Sequence, residues 1–230
     1  MSISALILGS SGSGKSFSMR NLDPANTMLI QCIKKPVPFR STGWKTRSNL
    51  TDKGNVIQTD DPALIEKIMR KSHHEVIVID DFQAMMVNIL MARVSEKSYE
   101  KFSDIGKAAW NIFNAAGDLA PNRRVYIMAH TQVDDFGNIR LKTVGKIVDA
   151  TLVPEGYFTM VLRTDLFNGN YLFSTQTNGQ DCCKSPPEMF EDQYIPNDLA
   201  EVDKCIYKFY DLQQYQPAAN QPKEVQNANT

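Results

Sequence analysis

Little in this sequence marks a special chemical environment. Its 230 residues hold four cysteines, Cys32, Cys182, Cys183 and Cys205, and three histidines, His73, His74 and His130. There is no C-x-x-C spacing and no paired His cluster, which excludes a zinc module and a disulfide framework and leaves reduced, structural thiols. The neighbours Cys182 and Cys183 read either as incidental or as a redox pair. Net charge is also missing: 25 Lys and Arg stand against 26 Asp and Glu. No global field then marks the chain for nucleic acid or membrane, so any basic surface must be local. No run of eighteen apolar residues occurs, and the N-terminus leads straight into a strand without a signal peptide. A soluble, cytosolic protein with no membrane partner is expected, and no internal repeat suggests a solenoid.

What is present is enough apolar residue, 42%, for the core of one large domain. That domain is expected over residues 1–212. From Gln213 the chain turns to Gln, Asn and Pro, so residues 213–230 read as a disordered polar tail.

The most specific stretch is Gly9-Ser10-Ser11-Gly12-Ser13-Gly14-Lys15-Ser16, which matches G-x-x-x-x-G-K-S/T at each fixed position. Ile3 to Leu8 reads as an apolar strand before it, and Phe17 to Arg20 as the start of a helix after it. Glycines let successive amides turn toward phosphate oxygens, and a helix N-terminus adds its own unpaired amides and positive dipole end. Lys15 would reach the β- and γ-phosphates, and the Ser16 hydroxyl would bind Mg²⁺. The cofactor-binding set is therefore Gly9, Ser10, Ser11, Gly12, Ser13, Gly14, Lys15, Ser16 and Phe17, with ATP and Mg²⁺ as ligands.

Further on, short β-rich runs alternate with helical ones. Thr27 to Cys32 and Asn55 to Thr59 read as strands, and Asp61-Pro62 as an N-cap followed by proline at the first helical position. Glu75 to Asp80 is almost continuously β-branched, as in a parallel strand buried on both faces. The methionines and aromatics after it, Phe82, Met85 and Met86, fall at helical spacing and read as core. Arg124 to Ala129 is another buried strand. Phe158 to Thr164 and Tyr171 to Gln176 flank Asn168-Gly169-Asn170, a hairpin signal, and a last helix runs from about Leu199 to Leu212.

Asp80, at the carboxyl end of its strand, fits the carboxylate that holds Mg²⁺, so the metal set is Ser16 and Asp80. Asp81 is the candidate to orient or deprotonate the attacking water. His130, ending its strand with Thr131, reads either as a polar sensor of the γ-phosphate or as a structural histidine.

With Gly9 to Ser16, Val76 to Asp81 and Tyr126 to Thr131 in this order, the chain resembles the RecA-like P-loop ATPases. It more closely resembles the phage-encoded ATP-binding proteins of the single-strand annealing and recombination group. That closer resemblance is carried by Lys35-Pro36-Val37-Pro38-Phe39-Arg40, by Lys142-Thr143-Val144-Gly145-Lys146, and by Lys184-Ser185-Pro186 followed by Met189-Phe190-Glu191-Asp192. It covers roughly residues 3–212. The resemblance implies an α/β fold: a RecA-like P-loop NTPase core with a mainly parallel central sheet flanked by helices, plus a C-terminal β-hairpin and helix. In that sheet the His130 strand would separate the loop strand from the Asp80 strand. It also implies DNA recombination in the host bacterial cytoplasm, with single-stranded DNA, a single-strand DNA-binding protein and self-association into a ring or filament. One departure stands out, since the end of the second strand, Gln31-Cys32-Ile33-Lys34, has no acid where RecA itself carries a catalytic glutamate.

Lys34, Lys35, Arg40, Lys45 and Arg47 occur without an intervening acid, interleaved with Phe39 and Trp44. The cations would track phosphates while the rings stack bases; the other reading has the rings docked on the core. Arg140, Lys142 and Lys146 form a second basic group. In RecA-like assemblies a neighbour's cation can complete the site, which makes Lys142 or Lys146 a candidate to act in trans. Two other functions stay open, a small-molecule nucleotide kinase and an ATP-gated interaction module. The kinase would need an Arg-rich lid, and no compact one is found.

Overall fold

In Ile3–Gly9, the first strand β1, Ala5 and Ile7 point to one face and Leu6 and Leu8 to the other, and all four are buried. A strand apolar on both faces needs a covering layer on each side, which dictates a three-layer α/β arrangement. The structure is a computed structural model describing residues 1–47 and 53–212. The expected tail, 213–230, and the stretch 48–52 of the basic loop lie outside the described residues.

After a 3₁₀ turn at Ser16–Asn21 come β2 (Thr27–Gln31), β3 (Val56–Gln58), α1 (Pro62–Lys71) and β4 (Val76–Asp80). Helices α2 (Phe82–Ala92) and α3 (Glu100–Gly117) lead to β5 (Arg124–Val133), β6 (Ile139–Leu141) and α4 (Lys146–Thr151). The chain ends with β7 (Met160–Phe167), β8 (Asn170–Ser174), β9 (Tyr194–Pro196) and α5 (Leu199–Phe209). The Asp61 carboxylate accepts from the Ala63 and Leu64 amides, with Pro62 at the first helical position, so the cap signal read from sequence is a true helix start.

The sheet runs β3-β2-β4-β5-β1-β7-β8-β9, with β6 beside β5. Strands β3 through β7 in this order are parallel, while β8, β9 and β6 are antiparallel additions. It is a mixed, mostly parallel P-loop NTPase-like sheet, and β5 separates β1 from β4 as anticipated. The two faces sort by alternation: Ile77, Ile79, Val125 and Ile127 pack under α1, α2 and α3, whereas Val76, Val78, Tyr126 and Met128 pack against the 3₁₀ turn, Trp44 and α5. Met85 and Met86 are fully buried, as expected of core residues.

Two expectations are revised. The hairpin expected as a C-terminal addition exists, turning at Asn168 (φ 49°) and Gly169 (φ 78°), but its first strand is a member of the central sheet, parallel to β1. The helix expected after the phosphate loop is a 3₁₀ turn of six residues, because Leu22 is extended and Asp23-Pro24 follows. Among the described residues no helix is long and apolar enough to cross a membrane.

Helix α5 is fastened to the sheet by charge as well as by Leu199, Val202 and Ile206. Arg124 grips Asp203 in a two-pronged pair, at 2.8 and 3.0 Å, and the Tyr126 hydroxyl donates to the same carboxylate at 2.6 Å. The Arg124 side chain is only 4% exposed, so removing Asp203 strands much of a buried charge. Asp203→Ala is expected to cost about 3 kcal/mol, the low end for a broken buried pair, since Glu75 stays beside Arg124. Chemical denaturation measures this, and Lys204→Ala, which removes an exposed pair with Glu201, should leave the midpoint unchanged.

Candidate nucleotide site

The phosphate loop begins where β1 ends, and Gly9 is required there by space. A Cβ on Gly9 would fall 1.9 Å from Thr164 Oγ1 and 2.5 Å from Ser13 Oγ. Those two hydroxyls share a 2.5 Å hydrogen bond, and Ser13 Oγ also lies 2.7 Å from the Ser10 carbonyl, so β7 braces the loop from below. Gly14 is left-handed at φ 99°, and a Cβ there would meet the Tyr171 ring at 2.8 Å. The Ser18 amide then donates to the Gly14 carbonyl at 2.9 Å, closing the turn. With only six residues of 3₁₀ turn behind it, the site relies on the local amides of the loop rather than on a long helix dipole.

Lys15 is 6% exposed and folds back over the loop. Its ammonium donates to the Gly9 and Ser10 carbonyls, each at 2.8 Å, and lies 3.3 Å from His130 Nδ1. Burial pulls the Lys15 pKa down to about 8, against the opposing pull of Asp80 and Asp81. Burial and then Lys15 lower the His130 pKa as well, so a neutral imidazole faces the ammonium. His130 is paired across β5 and β1 with Gly9, and its amide is held by Gln83 Oε1 at 3.0 Å.

Asp80 ends β4 and is completely buried. The Ser16 hydroxyl lies 3.0 and 2.9 Å from its two oxygens, and the Asp81 amide donates to it at 3.0 Å. Burial, followed by the neighbouring Asp81 charge, raises the Asp80 pKa to about 6, with Lys35 and Ser16 pulling the other way. This donor set of one carboxylate and one hydroxyl suits Mg²⁺, which takes few protein ligands and completes its shell with phosphates and water. Accordingly, no cluster of three or more His, Cys, Asp or Glu side chains that could hold a metal is found among the described residues.

Asp81 is 3% exposed and sits in the left-handed region (φ 56°, ψ 41°) just ahead of α2. Asp, like Asn, tolerates that backbone better than most residues, and here Asp81 lines the cleft. Its partner is Lys35, with Nζ 2.5 Å from Oδ2. Lys15, Ser16, Lys35, Asp81, His130 and Tyr171 thus line one cleft of about 410 Å³.

The basic loop divides. Lys34, Arg40 and Lys45 are exposed, but Lys35 turns into the phosphate cleft. Trp44 is buried and edge-on to Phe39 at 5.9 Å, and Phe39 packs partly buried against the same core, so of the two readings for these rings the structure has the one in which they dock on the core rather than stand free to stack on bases. Arg47 is spent on its own loop, donating to the Gly54 carbonyl. Lys142 is exposed and lines a second cleft of about 740 Å³ together with Lys34 and His130. Lys146 is exposed in the first turn of α4, and Arg140 pairs with Asp134 at 3.7 Å. Gln31 sits directly across from Asp80, so the end of the second strand indeed presents an amide and no acid.

Sequence reasoning passed over Thr164, Gln83, Tyr171 and the Lys35–Asp81 pair. Thr164 and Tyr171 belong to strands that pair or turn non-locally, and no spacing relative to Gly9 announces them. The thiols are free, and burial pushes Cys32 and Cys182 up to about 12, which fits the structural reading.

No protein-family model matches the chain, and no curated protein does. Among solved structures it is similar to the genome packaging NTPase of Sulfolobus turreted icosahedral virus 2 in complex with ATP-gammaS, at 12% identity over 78% of each chain and a TM-score of 0.36. A role in DNA recombination belongs to the proposal below. The chain's own strand order and phosphate loop make its fold P-loop NTPase-like.

Proposed function

We propose that this protein is a Mg²⁺-dependent ATPase that works on single-stranded DNA, promoting annealing or strand exchange. The observation that carries the ATPase reading is the convergence of Lys15, Ser16, Asp80, Asp81 and His130 at the ends of β1, β4 and β5. The triphosphate would lie along the loop amides, displacing Lys15 from the Gly9 and Ser10 carbonyls onto the β- and γ-phosphates. Phe17 and Tyr171, with ring centroids 6.0 Å apart beside the loop, offer an aromatic face to the base. Ser16 and Asp80 would hold the metal ion, which neutralises charge on the β- and γ-phosphate oxygens when bound.

In the hydrolytic step a water oxygen bonds to the γ-phosphorus while the bond to the β–γ bridging oxygen breaks. The electron pair leaves with ADP, and the water proton passes to the Asp81 carboxylate. His130, kept neutral, contacts the γ-phosphate and reports its presence to β5 and to Lys142, whose amide donates to the His130 carbonyl at 2.8 Å.

The DNA reading is supported by the exposed cations Lys34, Arg40 and Lys45 and by Lys142 across the second cleft, which shares His130 with the first. A strand tracked there would lie one residue away from the phosphate site. Self-association into a ring or filament, a single-strand DNA-binding protein as partner, and Lys142 or Lys146 acting on a neighbour's nucleotide belong to the same proposal.

Lys15→Ala and Asp81→Asn should each lower ATP turnover by ~100-fold or more, as expected for groups that meet charge in the transition state. Single-stranded DNA should stimulate the wild type; turnover only with a nucleoside acceptor would point to a kinase, and neither to an interaction module. The triple variant Lys34→Ala/Arg40→Ala/Lys45→Ala should weaken DNA binding and reduce its log-log salt slope by about two, and unchanged affinity would remove the basic loop from the account. Mixing Lys15→Ala subunits with Lys142→Ala/Lys146→Ala subunits should restore some ATPase if sites are shared; no rescue would count against action in trans.

A further inference from the structure

Lys35 belongs by sequence to the basic loop, yet its ammonium sits 2.5 Å from Asp81 Oδ2 inside the phosphate cleft. We propose that Lys35 is a γ-phosphate-triggered clamp: it occupies the Asp81 carboxylate while the site lacks a triphosphate, and moves to the γ-phosphate when ATP binds, releasing Asp81 to take the water proton. This inference rests on the ATPase reading above.

Three observations carry it. The first is the asymmetry of the pair: the Asp81 side chain is 4% exposed and held by its left-handed backbone, whereas that of Lys35 is 40% exposed. The carboxylate is fixed and the ammonium is free to move. The second is the anchoring of the loop. Gln58 Nε2 donates to Gln31 Oε1 and Gln31 Nε2 donates to the Lys35 carbonyl, each at 3.2 Å. Gln31 ends β2 directly across from Asp80, so the backbone of residue 35 is tied to the strand beside the metal carboxylate and the flexible side chain is the part left to swing. The third is the charge arrangement around the cleft. Lys15, Lys35 and Asp81 line the same cleft, so two ammonium groups already face the space a terminal phosphate would take, and one of them is held by a carboxylate.

A terminal phosphate brings more negative charge than one carboxylate and accepts an ammonium equally well, so ATP outcompetes Asp81 for Lys35. ADP, lacking the γ-phosphate, does not. While the pair is closed, the Asp81 oxygen nearest the cleft is occupied by the ammonium and cannot accept a proton from water. Opening the pair therefore couples the appearance of the base to the presence of the bond to be broken. After hydrolysis and loss of phosphate, Lys35 returns to Asp81. No bond forms or breaks in the clamp itself; one ammonium exchanges one anionic partner for another.

The test is equilibrium binding of ATPγS and of ADP, each with Mg²⁺, to the full-length wild type and to Lys35→Met, Lys35→Arg and Asp81→Asn. Lys35→Met should bind ADP within about twofold of wild type while losing ~10-fold or more in ATPγS affinity, the loss of one charge-assisted hydrogen bond. Retained ADP affinity also shows that the variant is folded. Lys35→Arg should recover most of the preference for ATPγS. Asp81→Asn, which frees Lys35 from its competing anion, should bind ATPγS more tightly than wild type. An unchanged ratio of the two affinities in Lys35→Met, or an equal loss of both, overturns the clamp and leaves the ATPase reading standing. A wild type that binds neither nucleotide removes the ATPase reading and the clamp together.

Discussion

The hydrogen bonding between the Ser16 hydroxyl and the Asp80 carboxylate, at 2.9 and 3.0 Å, joins two parts of the chain that do not touch within the sheet. Ser16 follows β1, Asp80 ends β4, and β5 lies between them. The contact therefore exists only because three parallel strands in the order β4-β5-β1 bring their carboxyl ends to one edge. The in-register pairing of Gly9 with His130 sets that edge, and β4 pairs with β5 as far as Ile79 and Ile127, which places Asp80 at the same end of the sheet, a little below the Gly9–His130 level. The layers above and below, sorted by the alternation of β1, β4 and β5, hold these ends in place. Sites at the carboxyl ends of parallel strands arise from this geometry, in which loops and helix starts converge.

Charge is the second constraint. Two carboxylates and two ammonium groups share one cleft with a neutral imidazole, and burial pushes Asp80 up to about 6 and Lys15 down to about 8. Each shift is a measure of unmet solvation. The cluster satisfies itself by folding Lys15 onto the loop carbonyls, Lys35 onto Asp81 and Ser16 onto Asp80. These internal bonds occupy the positions that a metal-bound triphosphate would claim. On the proposed ATPase reading the same groups would exchange these bonds for the nucleotide and its metal ion.

The phosphate loop, Asp80, Asp81 and the position of His130 were legible because each is local. A strand ending in Asp-Asp or in His-Thr can be recognised from its own few residues, and the resemblance to RecA-like ATPases supplied the strand order. Other features depended on contacts distant in sequence. β7 pairs with β1 across some 155 residues, so its Met160-Val161-Leu162 run looked like one arm of a hairpin and its role under Gly9, through Thr164, went unseen. The turn after the loop was read as a helix from its first residues, but Leu22 and Pro24 stop it before an α-helical ladder forms. The loop's rings and Lys35 show the limit most plainly: a basic, aromatic loop fits a DNA contact, and only its packing tells that Trp44 and Phe39 lie against the core and one lysine faces Asp81.

The central claim is that Ser16 and Asp80 form the metal-holding half of a triphosphate site whose other half is the loop at Gly9 to Lys15. Titrating ATPγS into the wild type and into Asp80→Asn, each with Mg²⁺ and with chelator, measures this directly. The account predicts that Mg²⁺ tightens binding to the wild type by ~10-fold or more and has little effect on Asp80→Asn, which should bind about as the wild type does in chelator. A Mg²⁺ enhancement of equal size in both proteins would contradict it.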